Sequence, residues 1–337
     1  MVTPQTNTTL SEIAERLRAL DDFVICGHVN PDGDCLGSQL GLYHALKALD
    51  KKVTCLLARN EPVDLGLRFL PGIDVMVPAS AFEGSAQVFI AVDVPSVERI
   101  GDAATLHDAA TVRFTIDHHA FDTAMAEYTY VEPDSPSASM LIWQLAQHMD
   151  AVTPDVAQSC LTGLITDTGR FAYQNTTANA FECAAEMIRA GANTVVVNRE
   201  FFQNRSLASM KLEQIILDRM EFFEEGAFVR SYLTQTDFAQ CNAVKADAEV
   251  LIDTLRSIRG VKVALILREN GEGEVRGSLR AKDDTTDVSA VARSFDGGGH
   301  KAAAGFTFYG CMDEALDEIK TRVLRLCFSG IGDASHG

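Results

Sequence analysis

Apolar residues in this chain alternate between short continuous runs and longer stretches with an apolar residue every three or four positions. DFVICG (22–27), KVTCLLA (52–58), QVFIAVDV (87–94) and VRFTIDHH (112–119) read as buried strands, rich in β-branched residues and bounded by polar turns. After the first run and the polar loop HVNPDGD, a helix is predicted from about Leu36 to Leu49, with Leu36, Leu40, Tyr43 and Leu46 on one stripe. Further helical stretches fall at about 137–149, 155–166 and 178–190. Strands alternating with helices of this length predict an α/β domain with a mainly parallel sheet and helices on both faces.

The segment SLASMKLEQIILDRMEF (206–222) has the pattern of one more amphipathic helix. The pattern then restarts with AFVRSYL, a helix at 246–258, and strands at VKVALILRE and EVRGSLRA. A short helix at 287–294, the run GGGHKAAAGFTF and a closing helix at 312–326 follow. The expected organisation is a first domain over 1–205, a linker helix over 206–224 and a smaller α/β domain over 225–337. No internal repeat or low-complexity tract is present, and the terminal SGIGDASHG is expected to fray.

Length and composition agree with this plan: 337 residues suggest roughly two domains, and 47% hydrophobic content supports packed cores. The eight cysteines are scattered with no CxxC pair, which excludes a zinc ribbon or a disulfide scaffold and fits reduced core residues. The start MVTPQTNTTLSE has no basic or apolar leader pattern, and no apolar run approaches the roughly 20 residues of a membrane span. A cytoplasmic protein without membrane contact is expected. The formal net charge of −18 opposes binding along long duplex nucleic acid, which needs a basic face. Small anions remain open, because bound divalent cations reverse the charge inside a site.

Chemistry concentrates where the predicted strands end. The first gives His28, Asp32 and Asp34, the third Asp93, and the fourth Asp117, His118 and His119, while LITDTGRF adds Asp167 at the end of a helical run. Singly, PDGD is a turn sequence, and a lone aspartate after a strand is a helix cap or a solvated charge. Together they describe a crevice beyond the carboxyl ends of a parallel sheet, where such folds bind ligands. Carboxylates mixed with imidazoles suit Mn²⁺ or a similar first-row ion. Six candidates (His28, Asp32, Asp34, Asp93, His118, Asp167) exceed one ion with open positions and suit two, roughly 3.5–4 Å apart and sharing a carboxylate. The other histidines (44, 107, 148, 336) fit no such scheme and read as surface or packing residues.

The second domain carries GSLRA (277–281) and DGGGHKAAAG (296–305). Consecutive glycines let backbone amides approach a phosphate, and Arg280 offers a two-pronged clamp beside Ser278 and His300. The plainer alternative is a glycine-rich turn before a strand, with Arg280 as a solvated charge.

The ordered set HVNPDGD, VDV, DHH, TDTG, GSLR and GGGH resembles the DHH phosphoesterase superfamily with its DHHA1 partner domain. The compact length is similar to its NrnA-like branch, oligoribonucleases that also act as pAp phosphatases. The resemblance implies one ion on His28, Asp32 and Asp93 and another on Asp34, Asp93, His118 and Asp167, with Asp93 bridging. It implies that His119 meets the substrate phosphate and that Asp117 orients the ligand histidine. Ser278, Arg280, Gly298, Gly299 and His300 would hold the substrate's phosphate and terminal nucleotide. The expected cofactors are two divalent ions, Mn²⁺ foremost, with Mg²⁺ or Co²⁺ as alternatives. The expected reaction is in-line attack by metal-activated water on a short oligonucleotide or pAp, releasing nucleoside 5′-monophosphate. A cyclic di-AMP or pApA phosphodiesterase is the nearest rival, and a nucleotide sensor without turnover the rival of another class. The oligomeric state, including a homodimer, stays open.

Overall fold

A computed structural model describes residues 5–120, 123–283 and 285–328 of the chain. The chain divides into two compact units, Met1–Asn204 and Arg205–Gly337. The first is built on strands β1 (Phe23–Cys26), β2 (Val53–Leu57), β3 (Val77–Pro78), β4 (Val88–Val92), β5 (Val112–Asp117) and β6 (Tyr128–Val131). They pair in the order β3-β2-β1-β4-β5-β6, every pair parallel.

β1 and β4 are buried along their whole length, as parallel strands covered on both faces must be. Their side chains divide by parity. Phe23, Ile25, Val88, Ile90 and Val92 join the core under α1 (Leu10–Ala19), α2 (Gly33–Ala48), α4 (Ala138–His148), α5 (Pro154–Asp167) and α6 (Ala178–Arg189). Val24, Cys26, Phe89 and Ala91 enter a smaller core with Ile100 and Ala103, beside the short α3 (Ala104–Ala109). Burying a phenylalanine such as Phe23 or Phe89 fully contributes about 1.5–3 kcal/mol.

Several elements of this unit were not among the sequence expectations, α1 and β6 foremost. α1 follows a capping box in which Thr9 accepts the Glu12 amide and Glu12 returns to Thr9, and it buries Leu10, Ile13, Ala14 and Leu17. β6 is the short run YTYV, β-branched and aromatic, added to the edge beside β5. The unit ends with the single turn α7 (Thr194–Val197) and a π-helical turn over Asn198–Gln203.

The second unit begins with α8 (Leu207–Asp218), which buries Leu212 and Ile216 in that unit's own core. The helix expected to run to 222 stops earlier, because Glu221–Phe223 pairs antiparallel with its neighbour as β7. Then come β8 (Phe228–Leu233), α9 (Gln235–Cys241), α10 (Leu251–Ser257), β9 (Val263–Gly271) and β10 (Glu274–Ala281). α11 (Ser289–Arg293), β11 (Gly298–His300), β12 (Ala303–Tyr309) and α12 (Met312–Val323) complete the unit. Its mixed sheet has the order β11-β12-β10-β9-β8-β7, with β8 and β9 parallel. Leu265, Leu267, Val275 and Leu279 face one core, and Val229, Leu233, Ala264 and Ile266 face the other. The terminal segment expected to fray lies outside the described residues. No helix among the described residues is long and apolar enough to cross a membrane.

Candidate metal centre

The first sheet reverses its direction of growth between β1 and β4, and ligands bind beyond the carboxyl ends of the strands at such a point. β1 runs out into His28, β4 into Asp93, and β5 into His118 and His119 through its last residue, Asp117. Since β4 lies between β1 and β5, Asp93 sits between the two histidine-bearing ends. Its φ of 54° is left-handed, a strain of order 1–3 kcal/mol for a residue with a side chain. The turn is anchored by its amide, which donates to the Ile116 carbonyl at 3.1 Å.

The two oxygens of Asp93 face different partners. Oδ2 lies 3.5 Å from His28 Nε2, while Oδ1 lies 3.4 Å from His118 Nε2 and 3.5 Å from His119 Nδ1. These are ion-pair spacings: buried Oδ1 has no hydrogen-bond partner among the described residues. The imidazoles are aimed by their other nitrogens. His28 Nδ1 is 2.9 Å from the Val29 carbonyl and His118 Nδ1 is 3.2 Å from that of Ser135, so donation there turns each Nε2 toward the acids.

α2 begins at Gly33, three residues ahead of the expected start, because Asp32 caps it by accepting the amides of Asp34 and Cys35, each at 3.0 Å. Asp34 therefore lies in the first helical turn. Its carboxylate meets the N-terminus of α4 and accepts the amides of Ala138 at 2.7 Å and Ser139 at 2.9 Å. His118 Nε2 is 3.7 Å from Asp34 Oδ2 and 3.8 Å from Oδ2 of Asp167, the last residue of α5. This convergence needs glycine. A Cβ on Gly163 would stand 1.9 Å from Ser139 Oγ and 2.7 Å from Asp34 Oδ1, and one on Gly33 would stand 2.4 Å from Thr166 Oγ1. Gly33, Gly37 and Gly41, spaced four apart on α2, all meet α5 in this way. That spacing was the available signal for the helix pairing.

Asp117 does not orient the ring of His118, which rests on Ser135. Asp117 Oδ1 instead takes the backbone amides of His118 (2.7 Å) and His119 (3.2 Å) and lies 2.9 Å from His119 Nδ1, so it positions His119. His44 and His107 bond to the carbonyls of Pro71 and Met125, apart from these residues.

Seven acids and imidazoles thus crowd one crevice: His28, Asp32, Asp34, Asp93, His118, His119 and Asp167. Burial, and then the charge of Asp93, pushes the Asp34 carboxyl up to about 7. Burial chiefly, with the neighbouring acids, holds Asp167 well above the usual range, although about a third of its side chain is open. Burial opposes the charged form of His28, yet Asp93 and Asp32 outweigh it and raise the imidazole to about 9. His118 and His119 are raised against the same burial by Asp93 and Asp117 respectively. Asp93 resists burial and stays far below the carboxylate range through the imidazoles around it. Protonated histidines are the cations of this cluster, and a divalent cation would relieve the same repulsion.

The donor atoms fit such an ion. Among the described residues, three sets each bring their donor atoms within 4.8 Å of one another: His28, Cys35 and Asp93; Asp93, His118 and His119; Asp34, His118 and Asp167. Sequence reasoning did not anticipate Cys35 here. Burial and the charges of Asp93 and Asp32 hold its thiol well above its ordinary value, so it stays neutral and a poor ligand. Asp32 is absent from these sets; its Oδ1 caps α2 and lies 3.8 Å from His28 Nε2.

In the second unit, Ser278 and Arg280 share one face of β10, and Arg280 Nη1 donates to the Leu279 carbonyl at 3.0 Å. Gly298 and Gly299, expected in an anion nest, belong to the edge strand β11, paired with Gly305 and Ala304. The backbone of His300 ends that strand, and its side chain lies outside the described residues.

A model of the DHH family N-terminal domain matches residues 22–164, and a model of the DHHA1 domain matches residues 232–326. The chain belongs to the DHH family. This DHH-family chain is 28% identical to the bifunctional oligoribonuclease and PAP phosphatase NrnA of Thermus thermophilus, over 91% of each chain. It is 27% identical to the Bacillus subtilis protein of the same name, over 94% of this chain and 98% of that one. Among solved structures, an exopolyphosphatase-related protein from Bacteroides fragilis superposes with a TM-score of 0.88 at 26% identity, over 96% of this chain and 98% of the other.

Proposed function

We propose that this DHH-family hydrolase cleaves short oligonucleotides to nucleoside 5′-monophosphates and converts pAp to AMP, using two divalent ions, Mn²⁺ foremost. The observation that carries the reading is the divided environment of Asp93, with one oxygen toward His28 and the other toward His118 and His119. A carboxylate so flanked suits a bridge between an ion on His28 and Asp32 and one on Asp34, His118 and Asp167. Bound there, the ions would activate water and neutralise charge on the phosphoryl oxygens.

The protein's own part is positioning. His119, held by Asp117, would donate to a phosphoryl oxygen of the substrate, and the α4 amides would keep Asp34 oriented. Ser278, Arg280, Gly298, Gly299 and His300 would take the substrate's phosphate and terminal nucleotide. The names of the NrnA relatives, matched over more than nine tenths of each chain, support this substrate class. The test is a hydrolysis panel with Mn²⁺ across two- to five-nucleotide RNAs, pAp, pApA, cyclic di-AMP and pyrophosphate. Mononucleotide from the short RNAs and AMP from pAp are expected. Turnover of cyclic di-AMP alone would move the reading to its nearest rival, and binding without turnover would sink it.

A further inference from the structure

The register of the second sheet sets Arg276 of β10 directly opposite Arg268 of β9. Like charges so opposed repel, and a sheet tolerates them where something anionic offsets the repulsion. Arg268 has one such partner, with Nη1 2.8 Å from Glu249. Arg276 has no ion pair among the described residues; its Nη1 donates to the neutral hydroxyl of Thr307 at 3.2 Å. Two guanidiniums therefore share one acid, on a chain whose net charge is −18.

Their shape is as informative as their charge. Arg268 Nη2 reaches 3.4 Å from Ser278 Oγ. Arg276 bends the same way: its Nη2 would stand 3.1 Å from a Cβ on Gly305, and Gly305 is the cross-strand partner of Ser278. A side chain at 305 would crowd that guanidinium, so glycine keeps the space over the strand open. The exposed Arg276, the half-buried Arg268 and the Ser278 hydroxyl thus converge, and the strand's next same-face residue is Arg280.

We propose that Arg276, Arg268 and Ser278 form a phosphate seat on this sheet face, with Arg276 the residue that discriminates phosphorylated from unphosphorylated nucleoside. Two guanidiniums and a hydroxyl gather donors on one face, the chemistry that recognises a phosphate monoester or diester by charge-assisted hydrogen bonds. The seat deepens the function proposed above, adding a determinant of substrate class in the second unit.

The test is calorimetric titration of AMP and of adenosine into the full chain loaded with Mn²⁺. Arg276→Gln should weaken AMP by about tenfold or more and leave adenosine within about twofold, since only the charged contact is lost. Arg276→Lys should recover part of the AMP affinity, because it keeps the charge without the fork. Equal weakening of AMP and adenosine, unchanged AMP affinity in Arg276→Gln, or no AMP binding by the wild-type chain would each overturn the seat. Hydrolysis of pAp is scored separately: a wild-type chain inert toward pAp whose AMP binding still depends on Arg276 keeps the seat and discards the proposed activity.

Discussion

The two sides of Asp93 are built differently. His28 and Asp32 come from one stretch of chain, a strand end and the helix cap four residues later, and the Asp32 side chain is 61% exposed. Asp34, His118 and Asp167 come from α2, the end of β5 and the end of α5, and Asp34 is 2% and His118 8% exposed. The first side is local and open, so it can adjust around an ion. The second is assembled by helix packing and pinned by the α4 amides, and its buried acids carry the larger electrostatic strain when no cation is bound. We therefore expect the Asp34 side to hold its ion more tightly and to be the more sensitive to mutation.

Removing the shared group tests whether the sides work together. Asp93→Ala should fall below about a tenth of wild-type turnover, at least ~1.4 kcal/mol of lost transition-state stabilisation, with the fold retained by circular dichroism. A variant keeping more activity than that would show that Asp93 is not the bridge. Gly163→Ala should damage only the packed side, because its methyl meets Ser139 and Asp34. Overpacking of this kind costs about 1–3 kcal/mol, so a lower Tm and a reduced Mn²⁺ stoichiometry are expected together. Gly271→Ala, with no atom within 4 Å of the added Cβ, serves as the control and should change neither.

A direct comparison pairs two carboxylates that are neighbours in sequence. Asp34→Asn should weaken Mn²⁺ binding by about tenfold more than Asp32→Asn does, a difference of ~1.4 kcal/mol. Equal losses in calorimetric titration would erase the distinction between the sides.

The smallest effect is on stability against pH. In the metal-free chain Asp34 titrates near 7 rather than in the usual carboxylate range, so its contribution to folding falls as pH rises from about 4 through 7. His28, raised to about 9, contributes fully below its ordinary 6.5, and that contribution is lost as pH rises through 9. Both slopes have the same sign. Tm in a chelator should drop by several degrees between pH 5 and 9, and the gain on adding Mn²⁺ should be larger at pH 8 than at pH 6, because the ion displaces those protons. A chelated Tm that rises over this range would contradict the proton assignment.

The strand-end chemistry was legible in the chain because parallel strands are buried on both faces. Their apolar runs are continuous, and DHH or VD stands out where a run stops. The capping box of α1 and the YTYV of β6 were equally local signals, a helix start and a β-branched, aromatic run. The turn reading of PDGD missed that Asp32 would serve as a helix cap, which moved Asp34 from a loop into the helix.

Other features were decided only by tertiary structure. The carbonyl that aims His118 belongs to Ser135, the amides that hold Asp34 lie more than a hundred positions further along the chain, and Arg276 meets Arg268 only through strand register. The residue types that bear the chemistry follow from local pattern, since each strand or helix end is set by its own few residues. Which of them face one another depends on how closely helices and strands pack, and there a glycine at 163 or a register between β9 and β10 decides what no local pattern can encode.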